Sequence, residues 1–166
     1  MATATKKAPP ATAAAAKKDA TILLQRDHKE VNGLFKQYKK LVDSDADGSE
    51  RQDLAEQICM LLTVHATIEE EIFYPAAREA EVDDDLLDEA DVEHASAKAL
   101  IAQIQSMGPD DDLYDAKVTV LGEYIAHHVG EEEGEMFPKC RRAGMDLAAL
   151  AAQLAERKTE LMAETA

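Results

Sequence analysis

Apolar residues recur at helical spacing along most of the chain, in four long stripes. The first runs from about Ala20 to Val42 through Leu24, His28, Val31, Phe35, Tyr38 and Val42, with Asp19 placed to cap its start. The run DSDADGS, Asp43 to Ser49, has the composition of a turn and breaks the pattern. A second stripe spans about Glu50 to Ala80: Leu54, Ile58, Leu61, His65, Ile68/Glu69 and Ile72. Pro75 lies inside it, which predicts a kink or a broken last turn. Acids around Val82–Asp85 cap a third helix carrying Leu86, Ala90, His94, Ala97, Ile101 and Ile104, and Gly108–Pro109 stops it. The fourth starts near Asp110–Asp112, carries Leu121, Ile125, His128, Glu132 and Met136, and ends around Pro138. A shorter helix, about Asp146 to Met162, is expected outside the bundle. Short loops between long helices make neighbours antiparallel. The predicted fold is therefore all-α, an up-down-up-down four-helix bundle with one extra C-terminal helix.

Polar residues on these stripes change the picture. Each of the four stripes contains a histidine, and two are followed four residues later by glutamate: His65/Glu69 and His128/Glu132. On a helix, such a pair shares one face. Both side chains of each pair therefore point inward, and burying an unpaired carboxylate costs several kcal/mol or more. Two such residues at matched positions call for an offsetting positive charge. Two divalent metal ions supply it, and imidazole with carboxylate suits iron.

The matched positions belong to an internal repeat. HATIEEEIFYP (His65 to Pro75) aligns with HVGEEEGEMFP (His128 to Pro138), sharing His, Glu at +4 and +5, and Pro at +10. Upstream, DHKEV (Asp27 to Val31) parallels EHASA (Glu93 to Ala97), each placing His after an acid. The chain is two copies of a His helix followed by a His-x-x-x-Glu helix. Two similar half-sites are what a dinuclear centre requires.

Composition limits the partners. The 166 residues carry 18 Lys plus Arg against 34 Asp plus Glu, a net charge of −16. Residues 1–18 hold four lysines and no acid, which leaves a net −20 on the other 148. So acidic a body repels phosphate backbones and anionic lipids, so neither nucleic acid nor a membrane is expected as a partner. No apolar run approaches the roughly 18 residues of a membrane span. Two cysteines, Cys59 and Cys140, support neither a disulfide framework nor a structural zinc site. The organisation expected is a disordered Ala/Lys/Pro tail over 1–19, the helical domain over 20–144 and the C-terminal helix over 145–166. Without a secretory signal pattern, the chain is read as a cytoplasmic monomer. A calcium loop starting at Asp43 is rejected because Leu54 stands where the loop needs Glu.

The motifs RDHKEV, HATIEEEIFYP, VEHASA and HHVGEEEGEMFP resemble the hemerythrin-like, or HHE cation-binding, family over about Asp19 to Gly144. The resemblance implies a non-haem di-iron centre, two iron ions with an oxo or hydroxo bridge, inside the bundle. His28, His65, His94 and His128 would be terminal ligands, and Glu69 and Glu132 would bridge. Oxygen-carrying hemerythrins have a further His four residues after the third-helix one, where this chain has Lys98. The four-His, two-Glu set is similar to the di-iron domain of iron–sulfur-repair proteins. Such a set leaves one open position on each iron, unless His127, Glu70, Glu131 or a Tyr adds a ligand. Open positions point to a diatomic or peroxidic ligand: O2, NO or peroxide, bound, sensed or decomposed. From the residues alone, His127 flanks the site, Tyr124 is either near the metals or a core aromatic, and Tyr74 packs at the bundle end. Glu70 and Glu131 are solvated or bonded to ligand imidazoles, and Cys59 is a core thiol.

Overall fold

The structure, a computed structural model, describes residues 18–166, so the disordered-tail reading of residues 1–17 lies outside the described residues. Helix α1 spans Ala20–Asp43 and α2 Gly48–Ile68. A π-helical turn, Glu69–Phe73, joins α2 to α3, Tyr74–Glu79. Helix α4 spans Asp84–Gln105 and α5 Tyr114–Glu131. A second π-turn, Glu132–Met136, leads to α6, Phe137–Arg142, and α7 spans Leu147–Glu164. No strand occurs among the described residues.

Four of the helix starts are held by aspartate side chains accepting free backbone N–H groups: Asp19 from Thr21, Asp47 from Ser49, Asp83 from Leu86 and Asp146 from Ala149. Helix α5 begins later than the pattern predicts. Asp111 accepts from the Gly108 N–H at 2.7 Å, which closes a turn over residues that would otherwise start the helix. In the four-helix bundle, α1 packs on α2 and α5, and α4 on α5 and α2.

Pro75 and Pro138 each sit in the first turn of a short helix rather than at a kink of their own. Each π-turn precedes its proline. The Tyr74 N–H reaches Glu69 and the Phe137 N–H reaches Glu132, five residues back instead of four. A proline in a first turn has no hydrogen bond to lose. The fourth stripe accordingly runs through Pro138 to Arg142, beyond its expected end.

The core is two apolar clusters with a polar layer between them. One contains Leu24, Ile68, Phe73, Leu87, Met136, Phe137, Leu150 and Leu154. The other contains Val31, Tyr38, Ile58, Leu62, Ile101, Tyr114 and Leu121. Helix α7 lies against α1 and α2, outside the four-helix square, yet its Leu150, Ala151 and Leu154 are part of the first cluster.

Candidate metal centre

The polar layer is made of Asp27, His28, His65, Glu69, His94, His128 and Glu132, all buried, with both glutamates at 0% exposure. The six residues expected at the site are brought together in two groups that could each hold a metal ion. One is His28, His65, Glu69 and Glu132; the other is His94, His128, Glu69 and Glu132. Both glutamates are common to the two groups. Glu69 spans them: Oε1 lies 3.0 Å from His65 Nε2 and Oε2 lies 3.2 Å from His94 Nε2. Glu132 Oε1 touches His128 Nε2 and lies 3.9 Å from His28 Nε2.

Four acids fix the imidazoles. His65 Nδ1 meets Asp27 at 3.1 Å, His128 Nδ1 meets Glu93 at 2.5 Å, His28 Nδ1 meets Glu133 at 2.9 Å and His94 Nδ1 meets Glu70 at 3.3 Å. An ionised carboxylate only accepts, so each Nδ1 carries the proton. In a neutral ring, Nε2 is then a lone pair aimed inward. The two Nε2 atoms of each pair lie 3.1 Å apart, facing carboxylate oxygens as well. Acceptors facing acceptors repel unless a cation sits among them. Glu69 Oε1 and both oxygens of Glu132 have no hydrogen-bond partner, although imidazole nitrogens are near. The contacts are close but not along an N–H direction. Neutral imidazole, carboxylate and unpartnered buried oxygen together fit a pair of divalent ions.

Without metal, protons must do the balancing. Burial opposes charge on His65 and His128, but Glu69 and Asp27 push the first up to about 10, and Glu132 and Glu93 push the second up to about 9. Burial and the charge on His65 drop His28 to about 4. Burial and the like charge of Glu69 raise Glu132 to about 7, while His65 and His94 overcome burial to hold Glu69 well below the usual carboxylate range. The site thus takes up positive charge near His65 and His128, on opposite halves.

The halves differ at one position. The Tyr74 hydroxyl, expected at the bundle end, instead enters the site. It donates to Glu69 Oε2 at 3.2 Å and lies 3.2 and 3.3 Å from the Nε2 atoms of His94 and His128. The repeat-related residue, Phe137, stacks flat on His28 at 6.0 Å between centroids. The π-turn explains why periodicity missed this. In an α-helix, residues five apart point about 140° away from each other. Across a five-residue hydrogen-bonding step they share a face, so Tyr74 lies over Glu69.

The remaining candidates lie outside the ligand set. His127 is 67% exposed and pairs with Glu93 and Glu131, which accounts for Glu131. Glu70 bonds His94 Nδ1 and Lys98, so Lys98 points to Glu70, not inward. Tyr124 is exposed, not a core aromatic, and lines the cavity beside the four imidazoles. Cys59 is buried, with its thiol pushed up to about 11 by burial and by Glu56. The roles of Asp27, Glu93 and Glu133 were not foreseen, though the repeat contained the signal: an acid before each first His and a Glu at +5 after each second. The +5 glutamate of each half bonds the first His of the other half.

Next to the four imidazoles is a small cavity of about 40 Å³, lined by Val31, Leu62, Ala97, Ile101, Ile125 and Val129 together with Thr63, Lys98 and Tyr124.

The sequence model of the hemerythrin HHE cation binding domain matches residues 19–140, and the chain belongs to that family. A solved structure of a hemerythrin HHE cation binding domain-containing protein from Mycobacterium kansasii superposes with a TM-score of 0.73. It covers 88% of each chain at 22% identity and so establishes a shared fold. A protein named DNA nickase from Nostoc sp. is 30% identical over 119 residues, 72% of this chain and 32% of that one. The chain spans about a third of the length of that relative.

Proposed function

We propose that the chain is a non-haem di-iron protein that binds an uncharged diatomic molecule, O2 or NO, at two irons inside the bundle. The single observation behind this is the pair of fully buried glutamates shared by two histidine pairs, with three carboxylate oxygens lacking hydrogen-bond partners. His28 and His65 would hold one iron, and His94 and His128 the other. Glu69 and Glu132 would join them. When bound, the irons would supply reversible ligand binding and one-electron redox chemistry.

The protein's own residues set the conditions. The four Nδ1 bonds hold each imidazole in the tautomer that leaves Nε2 free, and raise its donor strength. Phe137 and the apolar cluster around it keep water from the His28 ring. The cavity has room for roughly three water-sized atoms at 10–15 Å³ each. Its mostly aliphatic wall suits an uncharged diatomic ligand. Tyr74 stands on the His94/His128 side only, so ligand access favours the His28/His65 side.

A second reading, peroxide decomposition, draws on the Tyr74 hydroxyl, a proton donor already hydrogen-bonded to Glu69. The name of the Nostoc relative describes that protein, and the net −20 body here argues against a DNA-binding role for this chain.

The test is the reaction of the anaerobically iron-loaded protein with O2, NO and hydrogen peroxide. Reversible optical changes with O2 or NO, and no oxygen evolved from peroxide, are expected. Rapid oxygen evolution would favour the second reading.

A further inference from the structure

Helix α7 lies beyond the residues that match the family, yet one of its side chains reaches the histidine layer. Lys158 Nζ donates to Asp27 Oδ1 at 2.5 Å, and the other oxygen of Asp27 accepts the His65 Nδ1–H at 3.1 Å. Lysine, aspartate and histidine form an unbroken line from α7 through α1 to α2. Asp27 is the most buried of the four acids on Nδ1, with a side chain 10% exposed against 23% for Glu93, 31% for Glu70 and 39% for Glu133. A charge beside the most buried acid is screened least by water and salt.

We propose that Lys158 is a positioning residue for the metal centre, through which the C-terminal helix sets the donor strength of His65. The inference rests on His65 being a metal ligand, as argued above. An acid on the far nitrogen of a ligating imidazole pulls on its N–H and makes the ring a stronger donor. Lys158 shares the charge of Asp27 and so weakens that pull. Its loss strengthens the His65 donor and also removes a positive charge from the neighbourhood of the irons. Both changes favour ferric over ferrous iron. The line also couples the site to the docking of α7, which is held two ways on the same turn. Lys158 bonds Asp27, whereas Arg157 forks onto Glu71 at 2.7 and 3.2 Å and touches no ligand.

The test compares Lys158→Gln, Lys158→Arg, Asp27→Asn and Arg157→Gln in the full chain. Iron content is measured first. A wild-type protein that takes up no iron overturns the ligand assignment itself, and the metal-free arm then decides the Lys158 coupling alone. In that arm, the His65 Nδ1 nitrogen shift is read by NMR at pH 8. Lys158→Gln should move it and Arg157→Gln should not. In the iron-loaded protein, Lys158→Gln should lower the reduction potential by about tenfold in the ferric-to-ferrous ratio, the order of the affinity changes that outer hydrogen-bond partners produce. That is about 59 mV for one electron. Asp27→Asn should shift it the opposite way, and Lys158→Arg should restore it. Equal shifts in Lys158→Gln and Arg157→Gln, or none in Lys158→Gln, would reduce Lys158 to a fastener of α7 and overturn the proposal.

Discussion

Tyr74 and Phe137 occupy the same place in the two halves of the repeat and do different things. The phenol donates to Glu69 beside His94 and His128, whereas the phenyl ring stacks on His28 and brings no polar atom. One hydroxyl thus makes a symmetric sequence into an asymmetric site. Burial and the charges of Glu69 and Glu132 hold that hydroxyl's proton well above the ordinary tyrosine range. Tyr74→Phe should make the halves alike. The expected outcome is an unchanged iron count with more NO bound per chain, measured by optical titration. An unchanged NO stoichiometry would mean that the phenol blocks nothing.

At the scale of elements, α7 and the turns decide stability. Leu154 is fully buried in the cluster that joins α7 to α1, α2 and both π-turns. Leu154→Ala should destabilise the metal-free protein by about 2–5 kcal/mol in a denaturant titration. A much smaller loss would mean that α7 is a loose appendage. After α3, Glu81 has a φ of 58°, a left-handed conformation that costs a side-chain-bearing residue about 1–2 kcal/mol. Glu81→Gly should therefore raise stability by about 1 kcal/mol, less the entropy glycine loses on folding.

The elements also mark what could be read from the chain. Helix existence and the six inward residues followed from a 3.6-residue period and matched spacings. Several stripe residues were one position off: Leu34, Leu62 and Leu87 are buried where Phe35, Leu61 and Leu86 were expected. Helix α1 faces α2, α5 and α7 at once, so its buried face is wider than one stripe. Asp27 is buried for the same reason, and a pattern that assumes α7 lies outside has no cause to bury it. Tyr74 was misplaced because a π-turn breaks the period used to place it.

Across the described residues, two apolar clusters clamp a charged layer, and the buried acids Asp27, Glu69 and Glu132 all lie within that layer. Outside it, burial favours neutral forms. Cys59 and Cys140 are pushed up to about 11 and about 12, and Tyr114 to about 12, in each case first by burial. The folded chain holds these protons more tightly than the unfolded one. Their contribution is complete below pH 9 and is lost as pH climbs through 11 to 12. Denaturant midpoints of the metal-free protein should therefore fall steadily above pH 9, and Cys140→Ala should flatten the decline. A slope untouched by that substitution would assign the alkaline loss to other groups.

In the proposed function, the two histidine pairs hold two irons joined by Glu69 and Glu132. Anomalous diffraction at the iron edge, on crystals grown after anaerobic ferrous loading, tests it most directly. Two peaks per chain are expected, one by His28 and His65 and one by His94 and His128, with both glutamates between. A single peak, or none among these six side chains, would contradict it.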